Sequence, residues 1–159
     1  MKALSKLTLL KLLFIAQLAG CSMFGGPRPV KPAWQSVAFA AAPDANANSA
    51  VAVDLVLVKD KAVLDTLAAM SAARYFAAKA DLLRTYPDAL TALAVEITPG
   101  QLIQVERKRY GAERAWAALA FANYAAPGEH RQQLVLDHGA YVLQLGTQEL
   151  LVTGAGPAR

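Results

Sequence analysis

Val51-Ala52-Val53-Asp54-Leu55-Val56-Leu57-Val58 is β-branched and nearly continuous in apolar character. A strand with one wet face alternates apolar and polar side chains. This run does not, so both of its faces are expected to be covered. One face would meet a second sheet, and the other needs a lid. The next segment supplies one. From Lys61 to about Tyr86 the chain is alanine-rich and holds no Gly or Pro, which favours helix. Asp60 suits an N-cap and Pro87 a terminator. Val63, Leu67, Met70, Ala73, Phe76, Ala80 and Leu83 recur at spacings of three and four, a stripe read as core. A break near Ser71 is compatible with the pattern.

On the N-terminal side, Gln35 to Ala41 reads as a short strand. Pro43-Asp44-Ala45-Asn46-Ala47-Asn48-Ser49 follows it, rich in residues that hydrogen-bond their own backbone in turns. Such a loop on a rigid scaffold is either plain surface or a recognition loop. Downstream, Leu93 to Ile97 precedes the turn pair Pro99-Gly100, and Leu102 to Lys108 alternates in part. Gly111 to Arg114 is polar and reads as a hairpin loop. Ala115 to Tyr124 reads as a buried strand, with Trp116, Phe121 and Tyr124 as core aromatics. Arg131 to Leu136, Ala140 to Leu145 and Glu149 to Val152 complete the set, with Gly139 and Gly146 at turns between them. The expected fold is mainly β, a two-sheet sandwich with a helical insertion at about 61–86.

The chain has 159 residues, which suits one domain over 34–153 with a short tail at 154–159. Its first twenty residues read as a targeting segment, positive at Lys2 and Lys6 and then largely apolar. That run is shorter than the roughly 20 apolar residues a bilayer span needs. It ends in Leu18-Ala19-Gly20-Cys21, the full lipobox pattern, and Cys21 is the only cysteine. Cys21 is therefore the expected site of lipidation, which anchors the chain to a membrane. Ser22 in place of Asp is, by analogy with bacterial lipoproteins, an outer-membrane address. Gly25, Gly26, Pro27, Pro29 and Pro32 make residues 21–33 a lipidated tether. With the three leader lysines removed, the 16 Lys+Arg fall to 13 against 12 Asp+Glu. No basic stripe for nucleic acid is expected.

No nucleophile elbow, P-loop or dinucleotide fingerprint occurs. His130 and His138 are the only histidines. Their spacing fits no metal-ligand motif, and both read as solvated loop residues. Neither catalysis, a metal nor a cofactor is expected. Two readings remain: a structural protein acting through contact, and a stand-alone periplasmic lipoprotein holding a small ligand or peptide. A pocket between helix and sheet lined by Met70, Phe76 and Trp116 would favour the second.

In order along the chain, the motifs resemble a known family. Pro43-Asp44-Ala45-Asn46 is similar to its Pro-Asp-x-Asn loop, and Leu57-Val58-Lys59-Asp60 to the Leu-Lys-Asp corner after the next strand. Ile97-Thr98-Pro99-Gly100-Gln101 is similar to its Leu-x-Pro-Gly-Glu turn, and Trp116 to Tyr124 to its Val-Ala-Ala-Phe-Arg strand. The chain departs from that pattern where Ala122 follows Phe121, and in lacking Tyr-Gln before the corner. With the lipobox, these features resemble the TssJ family, the outer-membrane lipoproteins of type VI secretion systems. The resemblance implies a transthyretin-like sandwich at the periplasmic face of the outer membrane. It also implies contact with the periplasmic domain of a large inner-membrane protein, TssM, in which Pro43 to Ser49 takes part.

Overall fold

A computed structural model describes residues 28–137 and 139–153; the leader, Cys21, the first part of the tether, His138 and the tail at 154–159 lie outside them. The described chain forms β1 (Ser36–Ala41), β2 (Val51–Val58), α1 (Lys61–Ala68), α2 (Ala72–Thr85), β3 (Leu90–Ile97), β4 (Leu102–Val105), β5 (Ala117–Asn123), β6 (Arg131–Leu134), β7 (Ala140–Leu145) and β8 (Leu150–Thr153). Two four-stranded sheets, ordered β4-β1-β7-β8 and β3-β2-β5-β6, make the expected sandwich. All pairs are antiparallel except β1 with β7.

The unbroken apolar run of β2 is explained by its neighbours. Val51, Val53, Leu55 and Leu57 point between the sheets, into a core shared with Phe39, Leu143 and Ile97. Val56 and Val58 point the other way, against Val63, Leu67 and Tyr75 of the helices. The central strand is thus covered on both faces, and the helical insertion is the lid.

Local chemistry sets the helix boundaries. The Asp60 carboxylate accepts from the N–H groups of Ala62 and Val63, at 2.8 and 3.3 Å, so α1 starts with a filled cap. The insertion breaks over Ala69 to Ser71, where the Ser71 hydroxyl oxygen accepts from Arg74 N–H at 3.4 Å. This break shifts the buried stripe. Val63 and Leu67 face inward as expected, and Met70, Phe76 and Leu83 pack partly buried against the same core. But α2 most deeply buries Ala72, Tyr75 and Leu82, while Ala73 and Ala80 are exposed. One continuous helix would have kept the phase of the apolar residues. The new turn instead aims Tyr75 and Lys79 at a carboxylate on β2.

Between β4 and β5 the chain also differs from expectation. β4 stops at Val105, Arg107–Arg109 forms a 3-10 turn, and the residues after it cross from one sheet to the other. Gly111 to Arg114 therefore closes no hairpin. The crossing is fixed by Tyr110, whose ring is buried 5.4 Å from that of Trp34. Trp34 itself donates from Nε1 to the Val135 carbonyl at 2.8 Å.

Strand directions give the sandwich two distinct ends. The chain enters at one, where Val30 bridges Ala115 and Ala33 N–H bonds the Leu136 carbonyl at 2.7 Å. β1 runs from this entry end to the other, where the Pro43 to Ser49 loop lies beside the turn at Pro99-Gly100 and the β5–β6 and β7–β8 connections. Both cores are drawn from residues between Trp34 and Val152, so residues 34–152 hold a core of their own.

Candidate functional site

Three consecutive residues of the far-end loop occupy left-handed backbone conformation: Asn46 at φ 48°, Ala47 at φ 52° and Asn48 at φ 62°. For L residues this costs roughly 1–2 kcal/mol each, less for Asn. Such strain persists only where the surroundings over-determine the backbone. Here Asn46 is the clamp. Its Nδ2 donates to the Ala50 carbonyl at 3.0 Å, its Oδ1 accepts from Ala125 N–H at 2.9 Å, and its N–H reaches the Gly146 carbonyl at 3.3 Å. Ser49 N–H closes the turn onto the Ala45 and Asn46 carbonyls.

Neighbouring connections brace the clamp. Thr147 Oγ1 donates to Asp44 at 2.5 Å, and the Tyr124 hydroxyl reaches the Glu149 carbonyl at 2.6 Å. Burial, and after it the nearby Glu149 charge, push the Tyr124 hydroxyl up to about 12. Gly100, at φ 76°, brings its N–H within 3.1 Å of both the Ala41 and Ala42 carbonyls at the loop's base. The loop is locked.

The seven candidate contact residues fall into two groups. Ala45 and Asn46 are buried and hold the loop, while Pro43, Asp44, Ala47, Asn48 and Ser49 are exposed. Only the second group can touch a partner without unfolding the turn.

Beside the loop lies a surface that the sequence reading did not single out. The helices cover the outer face of one sheet. On the other sheet, the outward rungs are Gln104–Ala38–Val142–Thr153 and Leu102–Ala40–Gln144–Leu151. None of these side chains is charged, and Leu102 and Leu151 are 69 % and 44 % exposed. Small alanines on β1 leave a shallow depression lined by Ala40, Ala42, Gln144, Gly146, Leu151 and one charged residue, Glu149, which opens at the base of the loop. The signal was available as the alternation of Ala38 and Ala40 with Val37 and Phe39, which gives β1 one apolar and one small-residue face.

A third feature is a charge under the lid. Asp54, in the middle of β2, is 1 % exposed. Its carboxylate meets Lys79 Nζ at 2.6 Å and accepts from the Tyr75 hydroxyl at 2.8 Å. The Tyr75 ring stacks on Phe121 at 4.1 Å. Burial first, and then the Asp54 hydrogen bond and charge, raise the Tyr75 hydroxyl well above its ordinary range. This triad joins lid to sheet.

Of the three residues proposed to line a helix–sheet pocket, Met70 and Phe76 pack against the core under the helices, but Trp116 is not brought to them. Met70 lies at the far end, where its carbonyl accepts from Arg131 at 2.7 Å. Trp116 precedes β5 at the entry end, beneath Lys61 Nζ at 5.8 Å. Between them, the space is filled by Tyr75, Phe76 and Phe121. His130 is a loop residue whose Nε2 lies 2.9 Å from the Ala126 carbonyl, while His138 lies outside the described residues. Among the described residues, no three His, Cys, Asp or Glu side chains gather to hold a metal ion.

No family model matches the sequence, and no curated protein matches it. Solved structures do. The type VI secretion lipoprotein TssJ1 from Pseudomonas aeruginosa superposes with a TM-score of 0.61 at 21% identity, covering 82% of this chain and 99% of that one. Serratia marcescens Lip, a membrane-bound component of the type VI secretion system, gives 0.55 at 16% identity, covering 76% and 96%. A chain in a structure of the type VI secretion protein TssM C-terminal domain, from EAEC, gives 0.54 at 17% identity, covering 74% and 98%. Two four-stranded sheets with a helical lid, at these scores and coverages, give this chain the fold of the TssJ lipoproteins of type VI secretion systems.

Proposed function

We propose that this chain is a lipid-anchored structural component of a type VI secretion complex, tethering an inner-membrane partner to the outer membrane by protein contact. The observation that carries the reading is the locked loop at Pro43 to Ser49, at the opposite end of the sandwich from chain entry. A tether must hold load between two attachment points. Placing them at opposite ends of a rigid sandwich directs that load along the strands, through hydrogen-bonded ladders.

Other features support the same reading. The lipobox at Leu18 to Cys21 offers a lipid anchor, and no helix among the described residues is long and apolar enough to cross a membrane. Two or three acyl chains, at roughly 0.8 kcal/mol per buried methylene, would hold the protein at the periplasmic face of the outer membrane. A loop fixed before binding spends little conformational entropy on association. The uncharged sheet face beside it offers apolar area that a TssM-like periplasmic domain could cover. The role is contact, without catalysis.

Two experiments test the two attachments separately. Cys21→Ser is expected to move the protein from the outer-membrane fraction into soluble or unprocessed pools; a variant that still sediments with outer membrane refutes the lipid anchor. For the other end, crosslinked pull-downs from membranes would compare the wild type with a chain whose Pro43 to Ser49 is replaced by glycine and serine. A large inner-membrane protein is expected with the wild type and at least about ten-fold less with the replacement, a loss of roughly 1.4 kcal/mol. Equal recovery would reject the loop as the contact, and recovery of no protein by either would reject the tether.

A further inference from the structure

Charge is distributed unevenly between the two ends of the sandwich. At the entry end, Arg28 and Lys31 lie beside the crossing segment that carries Arg107, Lys108, Arg109 and Arg114. The segments are physically joined. Val30 bridges Ala115, Arg114 Nη1 donates to the Pro29 carbonyl at 3.3 Å, and Arg107 Nη1 donates to the Trp34 carbonyl at 3.1 Å. Lys59 and Lys61, where β2 ends at the same end, make eight cations, against which stand Asp60, Asp88, Glu106, Glu113 and Asp137. Glu106 pairs with Lys108 at 2.6 Å, and Glu113 with Lys59 at 3.6 Å. The far end carries the opposite bias, with Asp44, Glu96, Glu129 and Glu149 against Arg74 and Arg131. A chain nearly neutral after its leader is therefore polar along its strand axis.

The cationic end is also where residues 1–27 join the domain, through a segment at 28–33 whose backbone is tied to Ala115 and Leu136. From Cys21 to Arg28 is seven residues, a reach of at most about 25 Å fully extended. An anchor at Cys21 thus confines this end, and not the partner loop, to the headgroup region. Trp116, partly exposed beside Lys61, adds an amphipathic ring of the kind favoured at membrane interfaces.

From the coincidence of charge and chain entry we infer that the Arg107 to Arg114 crossing segment, together with Arg28 and Lys31, is a docking surface for anionic lipid headgroups. It sets the domain upright on the bilayer. Acyl chains alone would leave the sandwich free to swing on its tether. Several basic side chains within a screening length of an anionic surface supply an orienting force, each worth about five-fold in partition. The strands then stand away from the membrane, and the Pro43 to Ser49 loop is held out toward the periplasm. This orientation rests on the proposed anchor at Cys21, but the charge-driven contact does not need the lipid.

The test uses the unlipidated chain from Ser22 to Arg159, which retains both cores. It would be sedimented with vesicles of phosphatidylcholine alone or of equal parts phosphatidylcholine and phosphatidylglycerol at low ionic strength. Binding is expected to the mixed vesicles only, and to vanish at about 1 M salt, where the screening length is about 3 Å. Lys108→Glu with Arg109→Glu alters two exposed residues and is expected to weaken binding by at least about twenty-fold. Arg74→Glu with Arg84→Glu, on the exposed side of α2, changes net charge equally and is expected to leave most of the binding intact. Thermal melts of both variants confirm that each remains folded.

Equal binding to both vesicle types, no binding to either, or equal losses from the two charge-reversed pairs would each overturn the docking surface. So would a Lys108/Arg109 variant that binds vesicles normally but no longer captures the inner-membrane partner, since the patch would then be a protein contact. Fractionation of the Cys21→Ser chain reads the anchor independently, which keeps failure of the anchor distinct from failure of the patch.

Discussion

Lys79→Met is expected to cost about 3 kcal/mol of folding stability and roughly 10 °C in Tm, measured by urea and thermal unfolding. The argument starts from Asp54, which is 1 % exposed within a strand covered on both faces. With Lys79 in place, its carboxylate has a cation at 2.6 Å and a hydroxyl donor at 2.8 Å. Without it, the carboxylate keeps one neutral donor and stays shut away from water by the lid. An unpaired buried charge is among the costliest defects a single substitution can leave. Replacing the whole triad, by Asp54→Leu, Tyr75→Phe and Lys79→Met together, is expected to restore wild-type stability or exceed it. Attraction within a buried ion pair seldom exceeds the desolvation it requires. If the single variant melts within about 2 °C of wild type, the triad does not hold the lid.

Asp54 also shows where sequence reasoning reached and where it stopped. The run from Val51 to Val58 established a strand with two covered faces, and hence a sandwich with a helical lid. It did not show where the one charge in that run, Asp54, would find a partner under the lid. Nothing local to Asp54 says which turn of which helix supplies that partner, and the answer changed the helix phase. Spacing alone places Ala73, Phe76, Ala80 and Leu83 on one stripe; Phe76 and Leu83 do pack against the core, while Ala73 and Ala80 are exposed. Three residues of non-helical chain at Ala69 to Ser71 turn α2 so that Tyr75 and Lys79 face the sheet. Likewise, the polarity of Gly111 to Arg114 announced a connection, but not that it joins two different sheets. Sheet membership depends on long-range pairing, which a segment read by itself does not carry.

The loop poses the same problem in sharper form, because its sequence marks a turn without telling anchors from contacts. Asn46→Ala is expected to lower stability by about 2–3 kcal/mol, since it unpairs the Ala125 N–H and the Ala50 carbonyl and leaves a left-handed backbone on a residue less suited to it. Asn46→Asp retains an acceptor for Ala125 but loses the donor to Ala50, so it should fall between alanine and wild type. Partner capture should fall in the same order, because the exposed residues lose the geometry that Asn46 imposes. Ala47→Arg separates the two roles. Its side chain is exposed, and its strained φ of 52° costs arginine much what it costs alanine. That variant should melt near wild type yet capture little partner, because a long charged side chain would stand in the middle of the contact. Were Ala47→Arg to capture partner normally while Asn46→Ala did not, the locked turn would be serving the scaffold, with the contact displaced to the uncharged face bearing Leu102 and Leu151. A melt of Asn46→Ala within about 1 kcal/mol of wild type would instead mean that the neighbouring connections hold the turn without it.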